Sequence, residues 1–188
     1  VTRGMIRWAY SGIRPLYDDG ASKAQEATRD YVLKLDHPEG GAPLVSVFGG
    51  KITTFRKLAE SAMEKIAPFV PKLGQPWTAT AKLPGGDFPY AEVEQRIAAL
   101  GRTYPFLEAR VLRRLFRAYG TDAEKILSGV TSAADMGQSF GPLSEREIDW
   151  LRDNEWVRSA DDILWRRSKL GLHMTPDEQD ALRNYMNS

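Results

Sequence analysis

Residues 44–66 constrain this chain most. Leu44-Val45-Ser46-Val47-Phe48 is a short apolar run; Gly49 and Gly50 follow, and from Phe55 the pattern turns helical. An apolar run of this length bounded by glycine fits a strand buried on both faces. Phe55, Leu58, Ala59, Ala62 and Ile66 then fall at i, i+3, i+4, i+7 and i+11, one face of a helix. A strand that enters a helix through two glycines makes a turn suited to a ligand. The glycines allow close backbone approach, and the helix start offers unpaired N–H groups and a positive dipole end. Lys51 adds a full charge, and Thr53 or Thr54 can cap the helix or bind a phosphate oxygen. This is not a Walker A loop, which needs Gly where Val45 sits and Ser or Thr where Ile52 sits. An ordinary tight turn with a surface lysine is the competing reading.

Upstream, Ile6-Arg7-Trp8-Ala9-Tyr10 alternates like a half-buried strand, and Tyr31 to Leu35 is a second strand candidate. Downstream, Pro68 and Pro71 stop the helix. Gly74-Gln75-Pro76 through Pro84-Gly85-Gly86 has no period and reads as a linker. Beyond it nearly everything reads helical. Val93, Ile97 and Leu100 mark one helix, and Leu107, Val111, Leu115 and Tyr119 mark another that ends at Gly120. Thr121 to Glu124 reads as a capping box. Leu143 to Ile148 combines a box (Ser144 with Glu147) and a staple (Leu143 with Ile148). Ser159 to Asp162 opens the next helix, and Thr175-Pro176 opens the last. Phe140 reads as the anchoring aromatic of a loop between Gly137 and Pro142. The expected class is α+β: a β-rich part over residues 1–73 and a helical domain over residues 74–188.

Composition removes several functions. The net charge of +1 gives no whole-chain argument for nucleic acid. No cysteine is present, which excludes disulfides, thiolate nucleophiles and Cys-based metal sites. His37 and His173 are the only histidines, a thin supply for a zinc site or a Ser/His/Asp triad. No apolar run approaches the roughly 20 residues of a membrane span. The start, Val1-Thr2-Arg3-Gly4-Met5, lacks a signal peptide's apolar region and reads as the cut end of a longer chain.

Other constellations carry charge. Arg14 follows a strand candidate and is limited by Pro15; Arg29 opens another. Together with Lys51 they would form an anion pocket. Pairing of Arg14 with Asp18 or Asp19, and of Arg29 with Asp30, is the alternative. Arg110, Arg113, Arg114 and Arg117 share a basic face that could meet nucleic acid or an anionic membrane; a solvated helix face is the simpler reading. Trp156 and Trp165 lie among arginines and read as helix packing, with docking as the alternative.

Four segments resemble one family, the FAD-dependent, quinone-linked (aerobic) glycerol-3-phosphate dehydrogenases. They are Tyr10 to Leu16, Thr28 to Tyr31, Ser46 to Glu60, and Glu155 to Lys169 in pieces. They run in family order over nearly the whole chain; Phe55 stands where the family usually has Tyr. The resemblance implies oxidation of sn-glycerol 3-phosphate to dihydroxyacetone phosphate, with hydride passing to FAD and electrons to quinone. Residue by residue, it implies that Arg14, Arg29 and Lys51 bind the substrate phosphate or line its pocket. Gly49, Gly50, Ile52 and Thr53 would lie along the flavin, and no catalytic residue falls in this chain. It further implies a peripheral enzyme on the cytoplasmic face of a bacterial inner membrane. The family's G-x-G-x-x-G fingerprint is absent from these residues. It is expected upstream with the active-site histidine, so the chain alone should be inactive. Rival readings are another flavin oxidase, such as an amine or glycine oxidase, or a helical domain that dimerises or docks on membrane or partner.

Overall fold

The structure is a computed structural model that describes residues 2–6, 8–13, 16–18, 20, 28 and 30–187. Arg14 and Arg29 lie outside the described residues. The chain divides into two compact units, Ala9–Ala81 and Lys82–Ser188 with Val1–Trp8. The class is α+β and mainly helical, as expected, with two small antiparallel sheets.

In the strand-bearing unit, β1 (Val32–Asp36) pairs antiparallel with β2 (Leu44–Phe48), with Val32 opposite Phe48 and Asp36 opposite Leu44. The chain reverses through His37-Pro38-Glu39-Gly40-Gly41, where the Gly41 N–H donates to the Pro38 carbonyl at 2.9 Å. A 3-10 turn, Ile52–Thr54, leads into α1 (Phe55–Ile66), and a second such turn containing Pro68 ends it. Two expectations need correction. β2 is not buried on both faces: Leu44, Val47 and Phe48 are all exposed, because a two-stranded ribbon with one helix beside it cannot cover both sides. Ile6 and Trp8–Tyr10 form no strand. Trp8 instead stacks on Trp165, with centroids 5.5 Å apart.

The helical unit holds α2 (Val93–Thr103), α3 (Ala109–Tyr119), α4 (Asp122–Ile126), the hairpin β3–β4 (Ser139–Phe140 and Leu143–Ser144), α5 (Glu145–Asn154) and α6 (Pro176–Asn187). A π-helical segment, Asp162–Arg167, separates α5 from α6. Its core has two clusters. One gathers Ile97, Leu100, Leu112, Leu115, Phe116 and residues of α4; the other gathers Phe140, Leu143, Ile148, Leu151, Ile163, Leu164 and Leu182. Tyr119 packs against both. The buried face of α3 is therefore Leu112/Leu115/Phe116, with Leu107 and Val111 at its margin. Gly120 (φ +56) and Gly85 (φ +73) pass so closely that a Cβ on either would overlap backbone of the other segment. The Gly85 carbonyl accepts from Thr121 N–H at 3.0 Å. This contact pins the linker to the end of α3.

Capping follows the sequence in part. Ser144 Oγ accepts from Glu147 N–H at 3.3 Å. At α6 the box is reciprocal, Glu178 N–H to Thr175 Oγ1 at 3.3 Å and Thr175 N–H to Glu178 Oε2 at 2.8 Å. Thr121 makes no side-chain cap, because its backbone is already helical. Asp162 and Asp135 collect donors from the residues before them. Arg158 N–H, then Ser159, hold the Asp162 carboxyl at about 2, from an ordinary 3.8. Thr131 N–H and hydroxyl, with Ser132 N–H, hold Asp135 at about 2 as well. Because both folded values lie below the unfolded ones, their stabilisation is complete above the unfolded value and is lost as pH falls through the folded one. Thermal midpoints should stay flat down to about pH 5 and drop between about pH 4 and 2. Asp135→Asn with Asp162→Asn should reduce that drop; an acid limb unchanged by the pair contradicts this account.

Candidate functional site

The Gly49–Lys51 loop is held between the ribbon and α1. Gly49 (φ +70) and Gly50 (φ +103) take backbone conformations that side chains disfavour. A Cβ on Gly50 would lie 3.0 Å from Leu58 Cδ1 and 3.6 Å from Tyr31 Cβ, so the loop rests directly on both. Lys51 is extended and precedes the Ile52–Thr54 turn. Thr54 Oγ1 donates to the Lys51 carbonyl at 3.0 Å, which fixes the base of the lysine. Of the two candidate threonines, Thr54 makes the local contact, and Thr53 stays exposed. The Ile52 side chain is 89% exposed. The first N–H groups of such a turn have no intrahelical acceptor. An open turn with those donors and a lysine beside it suits a ligand rich in acceptors, such as a phosphate or the carbonyls of a flavin.

The Lys51 ammonium reaches Asp30, with Nζ 3.3 Å from Oδ1. Asp30 precedes Tyr31, whose hydroxyl hydrogen-bonds Ser61 Oγ on α1 at 3.1 Å. Lys51 is legible in the sequence; Asp30 as its partner is not. In Thr28-Arg29-Asp30-Tyr31 the adjacent Arg29 offers Asp30 a nearer partner, and that Arg29–Asp30 pairing is the alternative to the anion pocket.

The basic face of α3 resolves differently from its reading. Arg110 pairs with Glu108 at 2.5 Å, and Arg113 makes a bidentate pair with Glu94 at 2.7 Å for both bonds. The Arg113 hydrogen bonds hold the Glu94 carboxyl below the usual range. Arg114 does not face solvent with the others. It makes two bonds to Glu147, at 2.7 and 2.5 Å, and a third to the Pro142 carbonyl at 2.8 Å. Glu147 is fully buried and also accepts from Tyr119 Oη at 2.8 Å. A nucleic-acid surface needs uncompensated cations, and here three of the four arginines are neutralised locally. The same pairing removes Glu147 from its expected capping role: its side chain serves α3 instead of its own helix start.

The tryptophans divide. Trp165 packs on the core, stacked between Trp8 and Gly171, where a Cβ would meet its ring at 2.6 Å. Trp156 is 79% exposed and sits at φ +56. Packing therefore holds for the first and not for the second. Phe140 is buried, as the loop reading expected, with its ring 4.9 Å from Tyr185. Among the described residues, no His, Asp and Glu cluster could hold a metal, and no helix is long and apolar enough to cross a membrane.

Comparison with known proteins covers both units. The chain is 43% identical over 187 residues to the aerobic glycerol-3-phosphate dehydrogenase of Escherichia coli (strain K12), covering 99% of this chain and 37% of that protein. It is 46% identical over 184 residues to a glycerol-3-phosphate dehydrogenase of Pseudomonas aeruginosa, covering 97% and 36%. It is also 42% identical over 174 residues to the D-erythritol 1-phosphate dehydrogenase of Brucella abortus (strain 2308), covering 92% and 34%. The chain thus spans about a third of the length of these relatives. The resemblance carried by the four segments is borne out. Residues 76–187 match the family model described as the C-terminal domain of alpha-glycerophosphate oxidase, and with more than half of its length matched the chain belongs to that family.

Proposed function

We propose that this chain is the C-terminal third of an FAD-dependent dehydrogenase that oxidises sn-glycerol 3-phosphate to dihydroxyacetone phosphate and passes electrons to quinone. The observation that carries the proposal is the exposed Lys51 ammonium just after a Gly-Gly turn, in a chain 43–46% identical to relatives named glycerol-3-phosphate dehydrogenase. In this proposal residues 1–73 complete the flavin and substrate domain, and residues 74–188 form a helical cap. Lys51, with Arg14 and Arg29, binds the phosphate dianion. Gly49, Gly50, Ile52 and Thr53 lie along the flavin through backbone groups. FAD, when bound, supplies the acceptor for the hydride from substrate C2. The FAD pyrophosphate is held by residues beyond this chain, since no G-x-G-x-x-G occurs in it, and the active-site histidine expected there takes the C2 hydroxyl proton. Three cations near a dianion suit a phosphate ester better than an amino acid, which sets an amine or glycine oxidase aside. Peripheral attachment to the cytoplasmic face of a bacterial inner membrane, and dimerisation through the helical unit, belong to the same proposal.

A second substrate has a specific observation behind it, the 42% identity to D-erythritol 1-phosphate dehydrogenase. Both substrates are polyol phosphate monoesters, so Lys51 would serve either. The test is Lys51→Ala in the full-length polypeptide, assayed with a dye acceptor on both substrates. Removing a charge-assisted hydrogen bond of about 1.5–3 kcal/mol should lower kcat/KM roughly 10- to 150-fold, with flavin content unchanged. A kcat/KM equal to wild type contradicts the assignment of Lys51. The substrate with the larger wild-type kcat/KM is the one the enzyme serves.

A further inference from the structure

We infer that Asp30 is a positioning residue, which holds the Lys51 ammonium at the mouth of the Gly49–Gly50 loop to receive a phosphate monoester. The inference rests on the reading of Lys51 as a phosphate ligand. Lys51 and Asp30 stand 21 residues apart, at the same end of the ribbon: Asp30 just before β1, Lys51 just after β2. Each is anchored on its own side. The Lys51 backbone is tied by Thr54, whose N–H donates to the Lys51 carbonyl at 2.9 Å and whose hydroxyl donates to it at 3.0 Å. Asp30 N–H donates to Thr28 Oγ1 at 3.4 Å, and the next residue, Tyr31, is bonded to Ser61 and lies against Gly50. The 3.3 Å pair closes a bridge between two fixed points.

The pair does little for folding. Its side chains are 52% and 78% exposed, and exposed pairs of this kind are close to neutral for stability. Its use lies in the lysine. A free lysine stem samples many rotamers, and a single partner limits that sampling. An ammonium has three N–H donors, so one bond to Asp30 leaves two for phosphate oxygens. The competing effect has the opposite sign. A carboxylate next to the phosphate position repels the dianion and competes for the ammonium, and if that dominated, removing Asp30 would tighten substrate binding.

The full-length enzyme with Asp30→Ala, Asp30→Asn, Lys51→Ala and the Asp30→Ala/Lys51→Ala double variant separates these effects in a glycerol 3-phosphate assay with a dye acceptor. Asp30→Ala should raise KM about 2- to 5-fold with kcat within about 1.5-fold. Asp30→Asn keeps an oxygen to accept from Nζ and should return KM close to wild type. In the Lys51→Ala background the Asp30→Ala change should have no further effect. A merely structural role would instead lower flavin content, thermal midpoint and kcat together, in either background. An unchanged or lowered KM in Asp30→Ala, beside a raised KM in Lys51→Ala, overturns this inference alone. An unchanged kcat/KM in Lys51→Ala overturns the reading of Lys51 and this inference with it.

Discussion

Glu147→Ala should lower the unfolding free energy of the helical unit by about 3–5 kcal/mol. Glu147 is completely buried, and its two carboxylate oxygens take two bonds from Arg114 and one from Tyr119. Burial works against the Arg114 charge, and the Glu147 carboxylate more than offsets it. Burial, reinforced by the same carboxylate, pushes the Tyr119 phenol well above its ordinary range. Truncating Glu147 leaves a guanidinium and a phenol in low dielectric without their acceptor, and loosens the bridge between α3 and α5. The cost comes from the orphaned partners more than from the pair itself. Replacing both ends, as in Arg114→Met/Glu147→Leu, should therefore recover the guanidinium's share of the loss and leave only the Tyr119 phenol without its acceptor, because buried ion pairs are often matched by apolar residues of similar volume. Urea titration of the wild type, Glu147→Ala and the double variant measures both numbers. A Glu147→Ala loss under about 1 kcal/mol, or a double variant no better than the single, contradicts this account.

Phe140→Ala should cost a similar amount, about 3–5 kcal/mol. The ring is 1% exposed and belongs to the cluster of Leu143, Ile148, Leu151, Ile163, Leu164 and Leu182. It also meets the Tyr185 ring of α6 at 4.9 Å. Each strand of its hairpin has only two residues, so the ladder contributes little and the ring fixes the turn. The void would open where the hairpin, α5 and α6 meet, and none of them can close it without losing contacts elsewhere. Phe140→Leu, which keeps much of the volume, should cost less than half as much. Thermal and urea unfolding compare the two; equal costs would contradict the cavity account, because the volume that Leu keeps would then recover nothing.

The contrast between these two residues shows what the sequence could disclose. Phe140 between two glycines is a local signal, and the loop reading found it. Glu147 carries a local signal too, but for a helix cap, because Ser144 three residues before it completes that pattern. Its real partner, Arg114, lies 33 residues away, and no spacing rule reaches that far. The basic face failed for the same reason: arginines at helical spacing look alike in sequence, and only tertiary contact shows which one turns inward. Helix boundaries fared better, since Gly120, Pro68 and Pro176 punctuate the chain by backbone chemistry alone. For β2, the residues marked a strand correctly, but apolarity overstated its burial in the ribbon it forms here. The loop at Gly49–Gly50 was legible because glycines, lysine and helix start are contiguous. Asp30 was not, because it joins the loop only through the antiparallel pairing of β1 with β2.

The central claim is that these residues are one part of a polyol phosphate dehydrogenase. Its most direct measurement compares the purified full-length polypeptide with the 188-residue chain, each supplied with FAD, glycerol 3-phosphate and a dye acceptor. The account predicts that the full-length polypeptide retains flavin, that glycerol 3-phosphate bleaches it, and that the dye is then reduced. The 188-residue chain should show neither flavin retention nor turnover. A full-length polypeptide that neither holds flavin nor oxidises a polyol phosphate, or appreciable turnover by the 188-residue chain, would contradict it.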